Sequence, residues 1–116
     1  MSDALLERDL QAKCVAWWNS AGLPGILFHV PNEGKRSRLE AASLRAMGVV
    51  AGVADLVLVL RGGRSVFIEL KAEAGDLSPS QRDFRHNAIA LGSAYFVIRS
   101  VEAFRLLVQS MVSAAA

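Results

Sequence analysis

The sequence predicts an α/β fold: a mixed β-sheet of about four strands flanked by helices. Three observations carry this. Short apolar runs alternate with longer segments of helical spacing, in the order α-β-α-β-β-α-β-α. Two of the runs, Asp55–Arg61 and Ser65–Ala72, are separated mainly by Gly62 and Gly63, which marks a hairpin. The step from Ser65–Ala72 through one helix to Ala94–Ile98 has the length of a βαβ crossover. Those two strands should therefore run parallel, with a right-handed connection. At 116 residues the chain is long enough for one core, so residues 1–116 read as a single domain.

The first helix is expected from about Ala4 to Ala21, capped by Asp3 and stopped by Gly22 and Pro24. Leu6, Leu10, Trp17 and Ala21 fall near helical spacing and should form its buried stripe. Trp17 and Trp18 are adjacent, so they cannot share one face, and one of them should be core. Ile26–Val30 lies between Gly25 and Pro31 and reads as a strand. The polar run PNEGKRS, residues 31–37, reads as a loop, and Arg38–Met47 as a helix ended by Gly48. Both hairpin strands are apolar on both faces, so both faces should be covered. Ser78, Pro79 and Gln81 supply a cap, a first-turn proline and a capping-box glutamine. They open a helix that ends near Leu91. Ala94–Ile98 is the last strand. Ser100 caps a final helix from Val101 to about Val112, and the SAAA tail should fray.

With 53% hydrophobic and 21% charged residues, intrinsic disorder is excluded. No apolar run approaches the roughly 20 residues needed to span a bilayer. The start MSDALLERDL lacks a signal-peptide core. The single cysteine, Cys14, rules out an internal disulfide and a cysteine zinc cluster, and reads as a small buried hydrophobe. These features lead us to expect a soluble, cytoplasmic protein with no membrane partner. Net charge is only +2, but ten of the thirteen positive residues are arginine, whose planar fork suits phosphate. Lys35, Arg36, Arg38, Arg45 and Arg61 concentrate that charge. Such a patch fits a phosphate backbone, and fits a solubilising surface equally well.

Chemistry concentrates in the hairpin. Asp55 opens one strand, and Glu69 and Lys71 sit inside FIELKA in the other. Charged residues are seldom buried unless paired or bound to a metal. Residues i and i+2 of a strand share a face, so Glu69 and Lys71 project together. Two carboxylates and an ammonium at a sheet end can hold a divalent cation, and oxygen ligands favour Mg²⁺ or Mn²⁺. The same spacing also fits a surface ion pair on an edge strand.

The stretch GVADLVL at 52–58 followed by FIELKA at 67–72 resembles the D…(D/E)-x-K core of the PD-(D/E)XK nuclease superfamily. HVPNEGKR at 29–36, MGVVAGVAD at 47–55, LSPSQ at 77–81, and Glu7 with Gln11 in the first helix resemble the VRR-NUC (virus-type replication-repair nuclease) family, in that family's order. The resemblance spans about residues 5–100. It implies a restriction-endonuclease-like sheet, with Asp55 and Glu69 as metal ligands and the Leu70 carbonyl as a third. It implies Lys71 as the catalytic lysine, Gln81 beside the active site, and a further catalytic and metal-binding carboxylate from Glu7. One position departs from the pattern: Ala54 stands where the family usually has proline before the aspartate.

Each supporting residue also has a plainer role. Gln81 can be a cap alone, and Glu7 can simply favour a helix start. His29 is better explained by packing at a strand end than as a base. Asn32, Lys35, Arg36 and Arg38 suit phosphate contacts, or a solvated loop. The implied function is a Mg²⁺- or Mn²⁺-dependent deoxyribonuclease, a hydrolase of DNA phosphodiesters. It would be selective for branched structures such as Holliday junctions, serve repair, recombination or replication, and act as a homodimer. The alternative is a non-catalytic nucleic-acid-binding module on the same fold.

Strand register tests the metal reading. A plain two-residue Gly62-Gly63 loop would set Asp55 opposite Leu70, pointing away from Glu69. The chemistry therefore requires a three-residue loop, or a bulge near Asp55.

Overall fold

A computed structural model describes residues 1–31 and 36–116. It contains α1 (Asp3–Ala21), β1 (Ile26–His29), α2 (Arg38–Ala46), β2 (Leu56–Val59), β3 (Ser65–Leu70), α3 (Pro79–Ala90), β4 (Ala94–Ile98) and α4 (Val101–Ala115). The sheet order is β1-β2-β3-β4. β1–β2 and β2–β3 are antiparallel and β3–β4 is parallel, so the sheet is mixed as the sequence predicts.

Alternation sorts the strands onto two layers. Leu56, Leu58 and Leu60, Val66, Ile68 and Leu70, and Ile98 face one side. There they meet Cys14 of α1 and Phe104, Val108 and Met111 of α4 in the main core. Trp17 packs edge-on against Phe104 with centroids 5.9 Å apart, joining the two helices. Both tryptophans lie at the core margin. Cys14 is fully buried, and burial pushes its thiol up to about 11, which makes it inert. On the other side α3 covers β3 and β4, with Phe84 edge-on to Phe67 at 5.1 Å and tilted against Tyr95. β1 is left at the edge with Ile26 63% and Phe28 45% exposed.

Several boundaries differ from expectation. The α1 cap is Ser2, whose hydroxyl accepts from the Leu5 amide, and Asp3 falls inside the first turn. Leu6 is exposed, because α1 reaches the core only from Leu10 onward. α4 continues through the expected frayed tail to Ala115. The hairpin strands are shorter than their apolar runs, ending where side chains turn to the site. Gln81 and Ser78 form the full capping box, with Pro79 in the first turn of α3.

The hairpin closes through Arg61, Gly62 and Gly63. The Leu60 amide donates to the Arg64 carbonyl at 2.8 Å and the Gly63 amide to the Leu60 carbonyl at 3.1 Å. Gly62 and Gly63 take φ of 83° and 74°, which side-chain-bearing residues adopt with strain. The ladder pairs Leu56 with Ile68 and Val59 with Ser65. Extended by one residue, that register sets Asp55 opposite Glu69. This is the three-residue solution that the chemistry requires.

Candidate active site

The site forms where β2 begins and β3 ends. Asp55 is held at both its backbone and its side chain. Its carbonyl accepts from the Val30 amide at 3.0 Å and from His29 Nδ1 at 2.7 Å. A carbonyl can only accept, so Nδ1 carries the imidazole proton. Asp55 Oδ2 accepts from the Leu70 amide at 2.8 Å, which turns the carboxylate toward β3. Ala54 is fully buried just before it, so alanine suffices to seat the start of the strand.

Glu69 lies on a central strand and is 2% exposed, and Lys71 is 9% exposed. The surface-pair reading is thereby removed, because neither residue is on an edge or in solvent. Burial, then the close approach of the Asp55 carboxyl, pushes the Glu69 carboxyl up to about 9; Glu7 adds to this and Lys71 opposes it. Among the described residues, no donor reaches the buried Glu69 Oε1. Two crowded carboxylates, one held protonated and one oxygen orphaned, form an electrostatic arrangement that a cation would relieve. Among the described residues, no three His, Cys, Asp or Glu side chains make a complete ligand set. Mg²⁺ needs only one or two protein carboxylates and keeps several waters, so the pair fits that ion.

Gln81 serves two roles at once. Its Oε1 accepts from the Ser78 amide at 2.8 Å, completing the cap, while Nε2 points at Glu69 Oε2 at 3.5 Å, the outer limit of a hydrogen bond. Glu7 reaches from α1 to accept the Ala72 amide at 3.1 Å, bracing the chain just past Lys71. Leu70 buries its side chain in the core and gives its amide to Asp55.

The VRR-NUC domain family matches residues 4–102. The chain belongs to the VRR-NUC family. Two solved structures are similar to it. One, described as a VRR_NUC domain protein, is 22% identical with a TM-score of 0.76, over 93% of this chain and 88% of that one. The other, a VRR_NUC domain, is 21% identical with a TM-score of 0.61, over 90% of this chain and 95% of that one. No curated protein matches. The sheet and its four helices are thus a VRR-NUC nuclease-type fold.

In this VRR-NUC chain, the sequence-predicted phosphate contacts are only partly placed. Arg36 and Arg38 are exposed, with Arg38 opening α2. Asn32 and Lys35 lie outside the described residues. No helix among the described residues is long and apolar enough to cross a membrane.

Three residues near the site escape sequence reasoning, and a fourth, His29, is read there only as packing at a strand end. Arg99 Nη1 donates to the carbonyls of Ala72 at 2.8 Å, Glu73 at 3.3 Å and Gly75 at 2.6 Å, pinning the loop after Lys71. A lone arginine after a strand gives no sequence signal of this. His29 ties β1 to Asp55, and with Arg8, Gln11, Ala12 and Val15 it lines a cleft of about 470 Å³ under α1. Gly52 has φ of 77°, and a Cβ there would lie 2.1 Å from the Ser80 carbonyl oxygen. The glycine therefore lets the loop before Asp55 press against the start of α3; its place inside MGVVAGVAD was the available signal. The third is Tyr95, buried on β4 with its hydroxyl unpartnered among the described residues.

Proposed function

We propose that this VRR-NUC chain is a Mg²⁺- or Mn²⁺-dependent endonuclease that hydrolyses DNA phosphodiesters. The observation that carries the reading is the register. It sets Asp55 beside Glu69, and Glu69 is buried with an oxygen that no described donor reaches, two residues before a buried Lys71. Asp55 and Glu69 would hold the ion, with the Leu70 carbonyl as a further candidate ligand, while Glu7, expected as a ligand from the sequence, is engaged with the Ala72 amide. When bound, the ion would supply Lewis acidity to the phosphate and acidify an attacking water.

The chain's own groups do the rest. Lys71 presents an ammonium on the Glu69 face, suited to orienting water and to balancing charge on the phosphate oxygens. Its shielding from solvent would strengthen the attraction between that ammonium and a phosphate oxygen. Gln81 Nε2 steadies Glu69, and Glu7 and Arg99 fix the backbone that carries Lys71. Arg36 and Arg38, with Lys35 and Asn32, would contact the DNA backbone. Contacts of that kind set position rather than sequence, which favours selection by branched shape.

The exposed Ile26 and Phe28 on the β1 edge support a homodimer. Two sites related by a two-fold axis would suit a symmetric junction in repair, recombination or replication.

The test is cleavage of labelled linear, flap, nicked and four-way DNA with Mg²⁺, Mn²⁺ or chelator. The expected result is ion-dependent cutting, greatest on branched DNA and abolished in a folded Asp55→Ala variant. Equal cutting by that variant in chelator would refute the mechanism.

A further inference from the structure

Two polar side-chain atoms, Glu69 Oε1 and the Tyr95 hydroxyl, are buried without hydrogen-bond partners among the described residues. They occupy the same layer. β3 and β4 pair in parallel with Phe67 opposite Tyr95, and Phe67 and Glu69 share a face two residues apart. Tyr95 therefore stands on the Glu69 side of the sheet, under α3, where Phe84 packs against its ring. A buried hydroxyl or carboxylate oxygen left unpaired is costly, and native interiors satisfy such groups directly or through ordered water. A phenol can donate to a water, and Glu69 Oε1 has lone pairs to accept from that water in either protonation state, so the two atoms are chemically complementary.

We propose that Tyr95 is a positioning residue for Glu69: a buried water joins the Tyr95 hydroxyl to Glu69 Oε1. Gln81 Nε2 approaches Oε2 from α3, so the carboxylate is then steadied at both oxygens. Outer partners of this kind orient carboxylates that bind metals, and their loss weakens binding. The proposal rests on the metal reading only in its consequence for ion affinity. The water link itself belongs to the chain without metal.

The test is Tyr95→Phe, which keeps the ring and its packing on Phe84. In chelator, Tyr95→Phe should lower the melting temperature by a few degrees in the wild-type background. In a Glu69→Leu background, which has no carboxylate to link, it should leave the melting temperature unchanged or raise it. A melting temperature unchanged or raised in the wild-type background would mean a truly orphaned hydroxyl and overturns the proposal. An equal fall in both backgrounds would assign the hydroxyl elsewhere and also overturns it. Calorimetry with Mg²⁺ should then show about tenfold weaker binding by Tyr95→Phe. Unaltered Mg²⁺ affinity would remove the positioning role. A wild-type chain that binds no Mg²⁺ would instead refute the metal reading, with the melting comparison still deciding the water link.

Discussion

Without a divalent ion, Glu69 should make the protein lose stability as pH rises. Its carboxyl titrates from an ordinary 4.5 in the unfolded chain and is pushed up to about 9 in the folded one. Below 4.5 both states hold the proton and nothing is lost. Between the two values the unfolded chain has released the proton and the folded chain keeps it, so each pH unit costs about 1.4 kcal/mol. From pH 6 to pH 8 the loss reaches at most about 3 kcal/mol. In a domain of this size, about 1 kcal/mol moves the melting temperature by about 4 °C or more. Glu69→Gln keeps the shape and removes the titration. Melting curves by circular dichroism in chelator, from pH 5 to 8.5, should show the wild type falling relative to Glu69→Gln. Saturating Mg²⁺ should raise the wild type relative to Glu69→Gln at pH 8 by about 2.7 kcal/mol at a hundredfold excess over Kd, offsetting most of that loss. A wild-type melting temperature that stays level with the variant, or rises relative to it, would refute the crowding of the two carboxylates.

Gly52→Ala should destabilise by at least about 2 kcal/mol and also slow cleavage, because its Cβ would displace the α3 backbone that carries Gln81; urea unfolding measures the first effect. Replacing Lys35, Arg36 and Arg38 by alanine should weaken DNA binding and flatten its salt dependence by about 0.9 per lost phosphate contact. Fluorescence anisotropy across a salt series reads the slope, and an unchanged slope returns these residues to plain solvation. Phe28→Glu on the β1 edge should turn a micromolar dimer into monomer in sedimentation, with folding intact; a wild-type monomer would contradict the dimer outright.

The order of elements was legible because period and punctuation agreed at nearly every step. Ser78, Pro79 and Gln81 announced α3, and Gly62 with Gly63 announced the hairpin. The hairpin's loop length was legible only through chemistry, since Asp55 and Glu69 share a face in one register and not in the neighbouring one. Burial was read less well. Leu6 fits the helical stripe of α1, yet it lies before the point where α4 covers the helix. Composition could not place Glu69 on a central strand, because centrality depends on which strands pair with it. The role of Arg99 was invisible for the same reason: its carbonyl partners lie 24 to 27 residues away in sequence, and the bond that ties His29 to Asp55 spans 26.

Gln81 binds the helix cap and Glu69 with one side chain, so two events that sound separate are one. The first turn of a helix is where opening is easiest, at free energies well below that of global unfolding. Each time the first turn of α3 opens, the amide that steadies Glu69 leaves with it. The fraction of molecules holding Glu69 in its steadied state is then the fraction with that turn closed. Anything that grips Glu69 from the other side would in return slow hydrogen exchange at the Gln81 amide, far more than at the middle of α4. A measurement of backbone protection would in that way report on the carboxylate, with no substrate present.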